Sequence, residues 1–187
     1  MDKTKIKYAV YAIWFLMIGV SLYYYFFAGS VIRTEFSRIF GSSLVLGYFV
    51  YLLAGCLRGF TLIPITYLIV VGILFLPPLP LYFLTMIGVF VSSLSIYYFS
   101  EYLNFDEYFE KKHPKQIQSI KNFLVKNELP IVVGWSFAPF LPTDLICYVC
   151  GAMEINVKKF IFGVIVGEGI SCAIYIFLGK EIIGFLF

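Results

Sequence analysis

Three charged residues stand inside stretches that are otherwise apolar, and their types suit anion handling and proton movement. Arg58 follows VYLLAGCL, Asp144 follows FAPFLPT, and Glu168 lies within GVIVGEGIS. An arginine guanidinium can hold a phosphate through two parallel hydrogen bonds, or its stem can snorkel to the membrane surface. Asp144 comes directly after Pro142 and Thr143, where a helix would begin. A side-chain oxygen there can simply cap free N–H groups. It can also mark a substrate path or proton relay, because an ionisable group at membrane depth is costly. The helix N-terminus beside it is itself an anion site, through its N–H groups and dipole. Glu168, between Gly167 and Gly169, points to a close helix contact. A carboxylate buried there calls for a partner, and Arg58 is one the sequence offers.

Other chemistries find less support. Ser136 lies near Pro139, but the single histidine, His113, falls in a distant polar stretch. A hydrolase needs a nucleophile activated by a base, so no catalytic residue is expected and the chain is not read as an enzyme. Cys147 and Cys150 have C-x-x-C spacing without a second pair, short of the four ligands that a structural zinc requires. With Cys56 and Cys172 they lie in apolar stretches and read as free thiols, since oxidised frameworks belong to small secreted domains. No metal and no cofactor is expected.

Of the 187 residues, 61% are hydrophobic, 20% aromatic and only 13% charged. Soluble domains carry about 25% charged residues, so the chain reads as an integral membrane protein. The net charge of +3 is spread over lysines in tails and loops, where they would face anionic lipid. Nothing suggests a nucleic-acid partner. The tyrosines read most simply as an interfacial belt.

The elements that must position Asp144 are unusual. Residues 129–153, LPIVVGWSFAPFLPTDLICYVCGAM, are almost wholly apolar, yet Pro139 and Pro142 fall at their centre. A spanning helix needs about 20 uninterrupted apolar residues, and proline inside a helix removes a hydrogen bond and clashes with the preceding turn. The segment is predicted to be two half-length helices around a break. Non-helical backbone survives at membrane depth only when buried in protein or lining a polar cavity. Residues 43–76 repeat the theme, interrupted at Arg58–Gly59 with Pro64 just beyond. They are expected to form a second hairpin; two short spans with Arg58 at a surface turn are the alternative.

Around these lie an N-terminal unit, 1–42, and a body, 43–187. The unit comprises a first span over Tyr8–Ala28 and a short interfacial helix over 29–42, with Ile32, Phe36, Ile39 and Phe40 on one face. In the body, PPLP at 77–80 should force a stop, followed by a span over 81–100. Residues 101–128 form a cytoplasmic polar stretch whose Ile117, Ile120, Phe123 and Leu124 recur at helical spacing. Glu154–Lys159 then leads to a last span over 160–178, with Gly163, Gly167 and Ser171 in the small-xxx-small pattern of close helix packing. Glu128, Glu154, Lys180 and Glu181 are expected to be solvated. With Lys3, Lys5 and Lys7 inside, both lysine-rich loops also land on the cytoplasmic side. The expected fold is an all-α, multi-pass integral membrane protein of the cell membrane. Its spanning helices accompany two oppositely facing re-entrant helical hairpins, the layout of an inverted repeat.

The run PFLPTDLICYVCG, with FIFGVIVG downstream, resembles the second hairpin of the DedA/VTT-domain superfamily, also called SNARE-associated Golgi proteins, in its shorter bacterial branch. Pro139, Pro142, Asp144, Tyr148 and Gly151 match its pattern in register, and Arg58, Pro64, Gly72 and Phe75 match that of the first hairpin. The resemblance covers residues 45–179. Three positions depart: Ser136 stands for an arginine, Cys147 for an asparagine and Leu76 for a glycine, while Glu168 is an additional acid. The missing arginine disturbs the family's charged pairing with the aspartate, which Arg58 or Glu168 would have to rebuild. The resemblance implies two facing hairpins, with Gly59, Pro64, Gly72, Tyr148 and Gly151 in structural roles. It also implies movement of phospholipids or lipid-linked phosphates between leaflets and leaves proton coupling open.

The expectation is therefore a flippase or scramblase for a phosphate-bearing lipid, with Arg58, Pro139, Pro142, Thr143, Asp144 and Glu168 forming the path for substrate or protons. Membrane lipids are the expected partner; protons and a second copy of the chain are left open. The rivals are a proton-coupled carrier of a small soluble substrate or ion, and a non-transporting membrane scaffold.

Overall fold

The computed structural model describes residues 12, 16, 19, 23, 29–103, 122, 124–138 and 141–179. Most of the first span, most of the 101–128 stretch, Pro139, Lys180 and Glu181 lie outside the described residues. Of the first span, Ala12, Leu16, Gly19 and Tyr23 are helical and exposed. Every regular element among the described residues is helical. Among the described residues, two helices are long and apolar enough to cross a membrane, Pro78–Leu103 and Val157–Leu178.

The predicted interfacial segment is a helix, α1 (Gly29–Ser42). Its Phe40 turns inward and stacks on Phe75, with ring centroids 5.1 Å apart. Ser43 ends α1 and caps the next helix, α2 (Leu44–Leu57), its Oγ accepting from Leu46 N at 3.4 Å. A 3₁₀ turn, Arg58–Phe60, follows. Leu62 then takes a left-handed conformation, φ 57°, a backbone state that costs an L-residue about 1–2 kcal/mol. The chain resumes as α3 (Ile65–Phe75), with Pro64 immediately before its first turn. Residues 43–76 are thus two short helices around a break at Arg58–Pro64. Arg58 itself is buried, which sets aside a surface position for that residue.

The PPLP run does end α3, but it also begins the following helix. α4 spans Pro78–Leu103 rather than 81–100. The first helical N–H groups have no intrahelical acceptor, so proline in the first turn forfeits nothing. Leu81 N donates to Pro77 O at 3.1 Å, and the helix is under way. The broken segment at 129–153 divides into α5 (Glu128–Phe137) and α6 (Thr143–Ala152). The last helix, α7 (Val157–Leu178), starts three residues before its predicted boundary. Asn156 Oδ1 accepts from Lys158 N at 3.1 Å and Lys159 N at 3.3 Å, a side-chain cap that draws Val157–Lys159 into the first turn. Its final five residues, Ile174–Leu178, widen into a π-type turn.

The two halves pack in a related way. In each, the first arm of the broken segment lies on the long helix that follows it: α2 on α4, and α5 on α7. The second arm reaches the long helix of the other half, α6 against α4 and α3 against the π-type turn of α7. Glycine permits the closest approaches. A Cβ at Gly163 would meet Val132 at 2.9 Å, and one at Gly167 would meet Val133 O at 2.7 Å. The small-residue pattern at Gly163, Gly167 and Ser171 is therefore the seam between α7 and α5. Gly151 of α6 is pressed on the Tyr97 carbonyl of α4, and Gly72 of α3 faces Leu81 and Tyr51.

Three tyrosines correct the belt expectation: Tyr51, Tyr97 and Tyr148 are buried. Their hydroxyls join elements, Tyr51 Oη with Thr85 Oγ1 at 2.9 Å and Tyr97 Oη donating to Ile155 O at 2.6 Å. Glu128 is corrected as well. It is buried and pairs with Lys159 Nζ at 2.7 Å, tying the start of α5 to the start of α7.

Because the Tyr97 carbonyl cannot retreat without unwinding α4, Gly151→Val should destabilise the fold by about 1–3 kcal/mol, the usual cost of overpacking. A Cβ at Gly134 meets nothing within 4 Å, so Gly134→Ala should be neutral. Thermal unfolding of the detergent-purified variants checks both; equal midpoints would contradict the packing described.

Candidate functional site

The site forms where the two breaks meet. Arg58 sits at the first break because α2 tightens there into the 3₁₀ turn, which Thr61 fastens from below. Thr61 N and Oγ1 both donate to Arg58 O, at 2.8 and 2.6 Å. Gly59 lets this turn lie against α4, since a Cβ would collide with Ile96 and the Ser92 hydroxyl. From the other half, Tyr148 of α6 donates its hydroxyl to Gly59 O at 3.3 Å. These contacts hold the backbone of the turn against α6.

The second break is fastened by α7 and by its own arms. Ser171 Oγ of α7 donates to Phe137 O at 2.9 Å, taking up a carbonyl that α5 leaves free at its end. Trp135 Nε1 reaches across the break and donates to Pro142 O at 3.2 Å. Pro142 has an extended conformation and stands directly before Thr143, the first residue of α6.

Neither Thr143 nor Asp144 caps its own helix: the residue at the cap position is Pro142, which makes no side-chain capping bond. The simple capping role weighed for Asp144 is thereby set aside. Asp144 instead crosses to the other half. Arg58 Nη1 donates to both of its carboxylate oxygens, at 3.3 and 3.1 Å. Both side chains are buried, 4% and 1% exposed, so the pair is shielded from solvent. Thr143 donates its hydroxyl to Glu168 Oε1 of α7, and Cys172 Sγ approaches Glu168 Oε2 at 3.5 Å. Glu168 lies within electrostatic reach of Arg58, yet its hydrogen bonds go to Thr143 and Cys172.

Arg58 is only partly satisfied. Its Nε and Nη2 are buried without a partner, as are Ser92 Oγ and Ser136 Oγ. A buried donor left unpaired costs about 1–3 kcal/mol, more when charged. The unmatched Nε and Nη2 donors are the kind that recognise an oxyanion.

The structure brings together Arg58, Thr143, Asp144 and Glu168, with Pro142, Gly59 and Tyr148 alongside. Pro64 and Gly72 shape the first broken segment outside this cluster. Ser136, in the position where an arginine is expected, faces Gly167 of α7. The cation paired with Asp144 is Arg58. Sequence reasoning missed Ser92; the signal was available, because Ser92–Ser93 is a polar pair in the middle of an apolar span. The thiols of Cys56, Cys147, Cys150 and Cys172 are free. Among the described residues, no group of three or more His, Cys, Asp or Glu is placed to hold a metal ion.

A family model, the VTT domain, matches residues 63–181. No curated protein and no solved structure matches the chain.

Breaking a buried ion pair by removing one partner costs about 3–5 kcal/mol, whereas replacing both by apolar residues can be neutral. Arg58→Met and Asp144→Leu should each destabilise by that amount, and the double variant should recover at least half of the loss. Chemical unfolding in detergent measures this. A double variant as unstable as the sum of the singles would contradict the pairing.

Proposed function

The chain belongs to the VTT-domain family of membrane proteins, and we propose that it is a lipid transporter of the cell membrane. It acts as a flippase or scramblase for a phosphate-bearing lipid, whether a phospholipid or a polyprenyl phosphate. In this reading residues 1–42 are an N-terminal span and interfacial helix with the N-terminus cytoplasmic. Residues 43–187 are the transporting body. The broken segments 43–76 and 129–153 are re-entrant hairpins that enter from opposite faces, an inverted repeat whose tips meet near the midplane.

The observation that carries the reading is Arg58. One terminal nitrogen is fixed by Asp144 while Nε and Nη2 remain unpaired and buried. A guanidinium held in this way is suited to an oxyanion, and the N-terminus of α6 beside it favours negative charge. Transporters use half-helix ends at midplane breaks for such groups. Asp144 and Glu168 serve the same path as gate or proton relay. The apolar faces of α4 and α7, with Phe83, Ile87, Phe162 and Ile170 exposed, accommodate acyl chains outside the protein.

One feature favours a second reading, a proton-coupled carrier of a small soluble substrate or ion: two buried carboxylates, Asp144 and Glu168, surround one buried arginine. A leaflet-exchange assay in proteoliposomes separates the two. The lipid reading predicts exchange of fluorescent phospholipid that falls at least tenfold in Arg58→Ala and Asp144→Asn, the equivalent of about 1.4 kcal/mol in a barrier. Exchange at the wild-type rate in both variants would remove the assigned site. Solute uptake driven by a pH gradient, with no lipid movement, would replace this reading with the second.

A further inference from the structure

Glu168 occupies a position that the transport reading reserves for substrate. Its carboxylate takes the hydroxyl proton of Thr143, the first residue of α6, in a hydrogen bond. That places the chain's own carboxylate at the half-helix end where a headgroup would sit. The neighbouring residue, Asp144, carries the Arg58 guanidinium with its unpaired Nε and Nη2. With both acids ionised, an oxyanion drawn to those donors would enter a pocket that holds two carboxylates against one cation. Uncompensated buried charge is among the costliest arrangements in a protein.

We infer that Glu168 is an internal competitor for the phosphate group, and that the phosphate binds only as Glu168 takes up a proton and leaves Thr143. This rests on the phosphate-lipid reading above and deepens it. Proton uptake removes one negative charge as the ligand brings another, so the buried net charge stays constant. It also frees the Thr143 hydroxyl to turn to the ligand. Of the two carboxylates, Glu168 is the exchangeable one. Asp144 receives two bonds from the guanidinium, whereas Glu168 is held by a hydroxyl and a thiol.

Among the described residues, the groups that face Glu168 are few. Cys172 and Tyr175 share its helix, and Asp144 comes from α6. Arg58 comes from the 3₁₀ turn, and Tyr51 of α2 lies near both Arg58 and Cys172. From α4, Tyr82 donates its hydroxyl to Gly169 O at 3.4 Å, one residue further on.

The test uses the full chain in detergent and dihexyl phosphate, a diester that lacks the second ionisation of a phosphate monoester (pKa about 6) and so keeps one negative charge through the titration. Trp135 reports binding through its fluorescence, because its Nε1 bonds Pro142 O beside the site. Wild-type affinity should rise by about tenfold for each unit fall in pH, the slope of one linked proton. Glu168→Gln should bind tightly with no slope. Titration calorimetry in buffers of different ionisation enthalpy should find one proton taken up per ligand in the wild type and none in the variant. Thr143→Val, which removes the hydroxyl, should weaken binding in both backgrounds.

A Glu168→Gln protein with the wild-type slope, or with one proton still taken up, overturns the competitor role. If Arg58→Ala abolishes binding in that same experiment, the phosphate site itself survives. No dihexyl phosphate binding by folded wild type at any pH overturns both. Inorganic phosphate is titrated in parallel: binding as tight as the diester's would make free phosphate the ligand and end the lipid reading while leaving the competitor role intact.

Discussion

An arginine and an aspartate that meet in apolar surroundings impose conditions on everything around them. Removing two charges from water costs several kcal/mol for each ion, and mutual attraction offsets this only when geometry is good. Arg58 and Asp144 are 86 residues apart in sequence, so the pairing needs two separate segments to stop at the same place. Each stops by a different local device. The first helix tightens into a 3₁₀ turn and passes through a left-handed Leu62. The second ends before Pro142 and restarts at Thr143. The remaining contacts of the site keep these two ends together: Tyr148 on the Gly59 carbonyl, Ser171 on the Phe137 carbonyl, and Gly59 flush against α4.

The same constraint explains why the long helices carry small residues where they do. For two breaks to meet, four short arms must pack against two long helices without lateral slack. Gly163, Gly167 and Ser171 bring α7 onto α5, and Gly151 sets α6 on α4. Gly55 and Gly88 do likewise for α2 and α4, where a Cβ at Gly88 would lie 3.1 Å from the Gly55 backbone. Membrane helices gain little from hydrophobic exclusion among themselves, so close packing and buried hydrogen bonds must hold them. The Tyr51–Thr85 and Tyr97–Ile155 bonds supply the second kind.

What the sequence made legible was local. Proline at Pro64 and Pro142 interrupts helices wherever it falls beyond the first turn, and the two broken segments appear at the expected places. Arg58 and Asp144 stood out because charge in an apolar run has few structural explanations. The PPLP run misleads at one boundary, because proline both stops a helix and suits the first turn of the next. The tertiary partnerships were not legible. No periodicity relates Thr143 to Glu168 or Glu128 to Lys159, and a tyrosine at an interface reads the same as one inside. Those contacts depend on how helices rotate against one another, which single-segment patterns do not specify. The VTT-domain match gives family membership; Ser136 and Glu168 are the positions where the resemblance implies other residues.

The central claim is that each broken segment returns to the face it entered from, so that a charged pair is held at depth by half-length helices. Side-specific labelling tests this most directly. In a protein with its four native cysteines replaced, Lys126→Cys and Glu154→Cys flank the second broken segment. The account predicts that an impermeant maleimide reaches both positions from the same side of the membrane. Labelling from opposite sides would make α5 and α6 one bent crossing and contradict the account.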